Sequence, residues 1–352
     1  MAIPRRCTVD PDRPGVYHTY SRCVRRAFLL QEGHVDRRAW LEAQLHRVLE
    51  FFAFDLHAFA FLGNHFHLVV ANDPQRARRW TPREVARRWL ELFPARWIRR
   101  KRGVAADAPP TDEEIDQLVN EPGRIEVLRR RLHNLSWLLK TLKEPIARRA
   151  NREDGVTGHF WEGRFGSSAL LDDAAIVAVC AYVDLNEVRA GCAQTPETSI
   201  CSSTRVRAQT LGKVGRGDAE SPSRHFTLAP VPGLDDEDYL AMLNAESRDV
   251  DSGRSARSGR SDRARSASRS RVLGRGDGAS VAWRRRLEEA IAEGRIPIGR
   301  GHVAGTPTSV STAASTRGRR WLWNALSVLW AAVGRGEAGG PSSRAAGSDQ
   351  VR

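Results

Sequence analysis

Three short stretches of this chain hold side chains that can do chemistry together. The first is His65-Phe66-His67. In a strand, alternate side chains face the same way, so both imidazoles share one face, about 6–7 Å apart along the strand. Phe66 then points into the other face. Two such rings can share one divalent ion, although a pair of ordinary surface histidines has the same spacing. The second stretch is CAYVDLNEVRAG, Cys180 to Gly191. Read as the end of the final helix, it puts Cys180 and Val183 on an apolar stripe with the preceding Ile176. Tyr182 and Asn186 lie four residues apart and only about 40° from one another, with Arg189 near them. One helix edge thus presents a phenol, an amide oxygen and a guanidinium. A phenol oxygen attacks phosphorus when a metal polarises the phosphate. The Asn186 amide can act as a third ligand beside imidazoles in a set that suits magnesium or manganese. The plainer alternative is a half-buried tyrosine followed by a helix-terminal asparagine. The third stretch is GHFWEGRF, Gly158 to Phe165. Arg164 among Phe160, Trp161 and Phe165 offers either a phosphate grip beside rings that stack on bases or an aromatic plug for a core.

These residues must be positioned by a folded domain, and the hydrophobic periods predict one between about Gly15 and Arg205. Gly15–Arg22 reads as a strand and Arg37–Phe52 as an amphipathic helix with Leu41, Leu45, Val48, Leu49 and Phe52 on one side. Leu56–Leu62 and His65–Ala71 read as strands joined tightly at Gly63-Asn64. A charged, Pro-bearing segment from about Asn72 to Gly123 reads as loop-like, with one helix at Pro82–Arg100. A long basic helix follows, its stripe formed by Ile125, Leu128, Leu132, Leu135, Leu139, Leu142 and Ile146. Arg129, Arg130, Lys140 and Lys143 fall off the stripe as candidate phosphate contacts, and Pro145 is expected to kink or end the helix. After the aromatic loop come a short strand near Ser168–Leu171 and a final helix to about Ala190, capped by Asp172 or Asp173. The order β-α-β-β-α-β-α predicts an α+β sandwich, a small antiparallel sheet covered by helices.

The chain has 352 residues and a formal net charge of +14, from 56 basic and 42 acidic residues. That balance fits a polyanionic partner. Cys7, Cys23, Cys180, Cys192 and Cys201 form no C-x-x-C pair, which argues against a zinc ribbon or a disulfide framework and for a reducing cytoplasm. Met1–Asp10 lacks the apolar core of a signal peptide, and Trp321–Val333 is too short to span a membrane. Residues 1–14 read as an arm and 206–246 as a weakly structured extension with a short helix at Gly233–Asn244. From Ser247 the Arg/Ser-rich run has no apolar period and reads as a disordered basic tail, with short helices at Val281–Glu293 and Trp321–Val333. Such a tail is either passive or an arm for nucleic acid.

Four blocks of the chain resemble the single-tyrosine HUH transposases of insertion sequences, above all the REP-associated tyrosine transposases. They are VYHTYSRC, LHAFAFLGNHFHLVV, GHFWEGRFGSSALLDD and CAYVDLNEVRAG, in the order found in that family and covering roughly Gly15 to Cys192. The resemblance implies a ferredoxin-like domain with His65 and His67 as metal ligands, Tyr182 as nucleophile and Asn186 as the remaining protein ligand. It implies Mg²⁺ or Mn²⁺ as cofactor and single-stranded or hairpin DNA as partner, gripped by Arg164, Trp161, Arg189, Arg129, Arg130, Lys140 and Lys143. The implied reaction cuts and rejoins a strand through a 5′-phosphotyrosine. Monomers and homodimers are both compatible with it. By the same resemblance Tyr17 and Tyr20, which sit in a strand without a motif match, are poor rival nucleophiles. The chain departs from the family pattern at Gly63 and Glu187, where Pro is usual, and at Glu162, where Gln is usual. Residues 75–123 look like an insertion. Two other activities fit the same residues: a domesticated hairpin-binding protein without efficient chemistry, and a metallo-hydrolase that uses water instead of Tyr182.

Overall fold

In the computed structural model, residues 9–31, 36–94, 105, 108–213 and 226–258 are described here. The expected helices at Val281–Glu293 and Trp321–Val333, most of the Arg/Ser-rich run and residues 1–8 lie outside them.

Four strands form one antiparallel sheet: β1 (Gly15–Arg22), β2 (Phe54–Phe61), β3 (His65–Asn72) and β4 (Gly166–Leu170), in the order β2-β3-β1-β4. The β2–β3 hairpin closes over Gly63-Asn64, with Leu62 N–H donating to the His65 carbonyl at 2.9 Å. Period-two alternation splits the sheet into two unlike faces. Leu56, Phe59, Phe61, Phe66, Leu68 and Val70 belong to the main apolar core. That face is covered by α1 (Arg38–Phe51), whose Leu41, Leu45 and Val48 are fully buried. Ala58, Ala60 and Val69 are buried away from that cluster, where the helix Asp173–Asp184 packs over β2 and β3. Two alanines there let a helix approach closely, and this second face carries the histidines.

The segment after β3 is more helical than its composition predicts. It holds α2 (Pro74–Arg79), α3 (Pro82–Leu92) and α4 (Asp112–Asn120). Side chains of Asp73, Thr81 and Thr111 accept from backbone N–H groups in the first turns, and Thr111 with Glu114 forms a capping box. Each cap satisfies donors that a short helix cannot pair internally.

The long apolar stripe is buried as expected, but it belongs to two helices, α5 (Arg124–Leu132) and α6 (Leu135–Glu153). Asn134 breaks the run because its side-chain oxygen accepts from Ser136 and Trp137 N–H at 2.9 and 3.3 Å, restarting the ladder. Pro145 does not end α6. Lacking an N–H, it leaves the Thr141 carbonyl without its helical donor, and Gln44 Nε2 from α1 supplies one at 3.0 Å.

The final helix is α7 (Asp173–Asp184), capped by Asp172, whose carboxylate accepts from Ala175 N–H at 2.7 Å. It is interrupted at Leu185 and resumes as α8 (Asn186–Ala190). Beyond it, α9 (Ser203–Thr210) packs on β2, and α10 (Asp236–Ser258) packs on α9. The helix expected at Gly233–Asn244 therefore continues to Ser258, into the Arg/Ser-rich run. Arg207 fixes this segment: it pairs with Asp236 and donates to the carbonyls of His57 and Ala229 at 2.8 and 3.0 Å. Tyr239 Oη donates to Asp184 Oδ2 at 2.8 Å. No helix among the described residues is long and apolar enough to cross a membrane.

Asp184 is fully buried at the end of α7, and burial pushes its carboxyl up to about 6 against hydrogen bonds from Ser203 and Tyr239 and the charge of Arg207. The folded state therefore binds this proton more tightly than the unfolded chain, whose carboxyl titrates near about 4. The stabilisation is complete below about pH 4 and is lost as pH rises through about 6. The melting-temperature advantage of wild type over Asp184→Asn is expected to shrink across that window. An advantage that does not change with pH would show that Asp184 does not titrate there.

Candidate active site

The polar face of the sheet gathers residues from both central strands. Tyr20 is paired in register with His67, and Arg22 with His65. His18, Tyr20 and Arg22 alternate along β1 toward this face, while Tyr17, Thr19 and Ser21 are buried on the other. The His65 and His67 rings are 5.1 Å apart between centroids and nearly perpendicular. His65 Nδ1 contacts Asn64 Oδ1 at 2.6 Å, and His67 Nδ1 contacts His18 Nε2 at 3.0 Å, the His18 and His67 rings lying stacked at 5.2 Å. Among the described residues no hydrogen bond engages Nε2 of His65 or His67. Burial lowers all three imidazoles, His18 and His65 to about 4 and His67 well below its ordinary value, with Arg22 adding to the effect on His65 and His67. They are neutral at pH 7, the form in which imidazole binds metals.

Tyr182 reaches this face from α7. Its ring meets His67 edge-on at 5.5 Å and His18 at 6.0 Å. Burial raises the phenol, while Arg189 and Arg22 pull it down and Tyr20 pushes it up. The Arg189 guanidinium lies 5.7 Å from the Tyr182 ring centroid, and burial lowers it to about 10, so it is still a cation at pH 7. Asn186 follows the break in the helix, and its Nδ2 donates to the carbonyls of Tyr182 and Val183 at 3.0 and 3.4 Å. With the amide nitrogen turned to the helix end, Oδ1 is the atom left for a ligand. Among the described residues no three His, Cys, Asp or Glu side chains form a metal-holding group. An ion on His65 and His67 would therefore take its third protein ligand from another residue type, such as Asn186. The donor set fits: two neutral imidazoles, each oriented through Nδ1, and one amide oxygen.

No model of a known protein family matches this chain, and no curated protein matches it. Among solved structures, the chain is similar to a REP-associated tyrosine transposase bound to a REP hairpin. The two are 15% identical with a TM-score of 0.35, over 62% of this chain and 93% of that one.

The expected nucleic-acid contacts separate into two groups. Arg164 and Arg130 are exposed, as is Lys140, whose Nζ lies 4.7 Å from the Trp137 ring centroid. Arg129, Lys143 and Trp161 are engaged inside the protein. Arg129 donates to the carbonyls of Ala77 and Trp80 at 2.6 and 2.7 Å. Lys143 donates to the Gly163 carbonyl at 3.1 Å, and Trp161 Nε1 to the Lys143 carbonyl at 3.1 Å. Phe160, Trp161 and Phe165 are all buried, with Trp161 edge-on to Phe66 at 5.5 Å, so the aromatic loop plugs the core.

Sequence reasoning overlooked His18, Tyr20 and Arg22 as site residues. Their signal was available: three polar side chains at period two within a single strand. Tyr20 is accommodated because Gly166 lies beside it on β4, and a Cβ at that position would overlap the Tyr20 ring.

Gly63 and Glu187 both sit in close surroundings. A Cβ at Gly63 would stand 2.8 Å from the Phe28 ring and 3.0 Å from the Gln31 side chain. Glu187 is 1% exposed, and its carboxylate accepts from Ile200 and Cys201 N–H at 2.9 and 3.0 Å. It ties the loop after α8 back to α8 itself, the short helix that follows α7. Glu187→Ala leaves those donors unpaired and is expected to cost about 3 kcal/mol in urea unfolding. Glu187→Gln, which keeps one acceptor, is expected to cost less; equal losses would mean that side-chain volume, not the clamp, is what matters.

Proposed function

We propose that this chain is a single-tyrosine DNA strand transferase that uses Mg²⁺ or Mn²⁺ and acts on hairpin or single-stranded DNA. The observation that carries the reading is the edge-on contact of Tyr182 with His67, on a sheet face where two neutral histidines turn Nε2 away from their hydrogen-bonded Nδ1 atoms. The strand order β2-β3-β1-β4, with α1 and α6 connecting strands, supports the ferredoxin-like architecture that the four sequence blocks imply.

In this reading His65, His67 and Asn186 hold the ion, which when bound polarises the scissile phosphate and neutralises part of its charge. Arg22 and Arg189 add positive charge where the phosphate sits. The Tyr182 oxygen attacks phosphorus. The bond from phosphorus to the 3′ oxygen breaks, leaving a 5′-phosphotyrosine and a free 3′-hydroxyl. A 3′-hydroxyl then attacks the phosphotyrosine, the phosphorus–phenol bond breaks, and the strand is rejoined. Burial keeps the Tyr182 phenol protonated at neutral pH, so attack requires that its proton leave as the bond forms. Arg164, Arg130 and Lys140 are the exposed cations assigned to the DNA backbone.

The test is to locate the covalent link. Wild-type protein is incubated with a labelled hairpin library and Mn²⁺, digested with nuclease and trypsin, and analysed by mass spectrometry. The nucleotide remnant is expected on the peptide from Phe165 to Arg189, which holds Tyr182. A remnant on the peptide holding Tyr20 would move the nucleophile to β1. Cleavage with no remnant on any peptide would favour hydrolysis by water, and tight hairpin binding without cleavage would favour a binding protein.

A further inference from the structure

A groove of about 1120 Å³ opens between α1, α3 and α6. These helices belong to the apolar core that includes Phe66, whereas His67 faces the other side of β3. The groove is therefore separate from the Tyr182 site. Its lining combines rings and cations. Trp89, Phe93 and Trp137 form one aromatic cluster, with Trp89 centroids 4.4 Å from Phe93 and 5.4 Å from Trp137. Trp137 is only partly buried, and Arg131 and Lys140 place their charges 4.4 and 4.7 Å from its ring. Further along α6, Arg148, Arg149 and Arg152 are exposed on the same wall, and Arg47 faces them from α1. Among the described residues of the lining the one acid, Glu144, is paired with Arg148.

We propose that this groove binds single-stranded DNA, with bases stacking at the Trp137 end and phosphates running along the arginines of α6. A bare anion site would not need the aromatic cluster, and a duplex keeps its base faces covered by its own stacking. An unpaired strand offers both partners, a chain of phosphates and open π faces. The proposal rests on the transferase reading only in taking DNA rather than RNA as the strand.

The experiment uses the full chain and a fluorescein-labelled oligo(dT) of about 16 nucleotides, the upper range of single-strand sites. Fluorescence anisotropy is recorded across a salt series. The triple variant Lys140→Glu, Arg148→Glu, Arg152→Glu is expected to bind at least tenfold more weakly and to lose about 2 from its salt slope, roughly 0.7 per phosphate contact. Trp137→Leu, which keeps an apolar side chain, is expected to lose about tenfold on oligo(dT) and nothing on heparin, which has charges but no bases. Unchanged oligo(dT) affinity in the triple variant would overturn the proposal. Full oligo(dT) affinity in Trp137→Leu would reduce the groove to an anion patch and overturn the strand assignment. Tyr182→Phe is expected to bind oligo(dT) like wild type, and the double variant Arg148→Glu, Arg152→Glu, which spares Lys140, to keep forming the phosphotyrosine link on saturating hairpin. Absence of that link in wild type would sink the transferase reading while leaving the groove to be judged on oligo(dT) affinity alone.

Discussion

Tyr182→Phe is expected to lower single-turnover cleavage of a hairpin substrate by at least about 10⁴-fold, because the variant lacks the atom that attacks phosphorus. The ring itself remains, so the edge-on contacts with His67 and His18 at 5.5 and 6.0 Å survive and hairpin affinity is expected to be unchanged. Tyr20→Phe is the necessary companion, since the Tyr20 ring also lies 5.9 Å from His67. That variant is expected to cleave at a rate close to wild type. Rates measured by quenched flow on a labelled hairpin decide the matter. If both variants cleave, water is the nucleophile; if only Tyr20→Phe fails, the strand tyrosine has the role assigned to Tyr182.

The second large effect is expected at His67. His67→Ala removes one proposed ligand and its contact with Tyr182, and is expected to abolish measurable Mn²⁺ binding by calorimetry or electron paramagnetic resonance. His18 acts one step further out, as a positioning residue. Its Nε2 lies 3.0 Å from His67 Nδ1. If His67 Nε2 is the ligand atom, Nδ1 carries the proton and donates it to His18, which fixes the ring and its tautomer. His18→Phe keeps the stacked ring and deletes the acceptor, and is expected to weaken Mn²⁺ binding about 10- to 100-fold. His18→Gln, which restores an acceptor, is expected to recover part of that loss. If His18→Phe binds Mn²⁺ like wild type, the His18 contact is only packing.

The local rules of the sequence determined much of this protein. Alternation in Gly15–Arg22 and His65–Asn72, the tight Gly63-Asn64 connection and the stripe of Arg38–Phe51 were legible because each depends on residues a few positions apart. So was the sharing of one face by His65 and His67. Helix caps at Asp73, Thr81 and Thr111 were equally local, and reading Asn72–Gly123 by composition rather than by caps found the helix that starts at Pro82 but hid Pro74–Arg79 and Asp112–Asn120. Interruptions were harder to see. Asn134 and Leu185 sit in runs whose apolar period continues unbroken, so periodicity alone cannot show where the ladder stops.

Only the tertiary structure decided which side chains meet. Lys143, Arg129 and Trp161 look like surface groups in the sequence, yet each finds a carbonyl far along the chain and is held by it. Tyr239, outside every recognised block, docks on Asp184 two residues from Tyr182. His18 and Tyr20 join the site through strand register, and the α6 arginines gain an aromatic wall from α3. The physical reason is the same in each case. Periodicity fixes which face a side chain takes, whereas hydrogen bonds and burial between distant segments depend on how sheet and helices pack, which no local window contains.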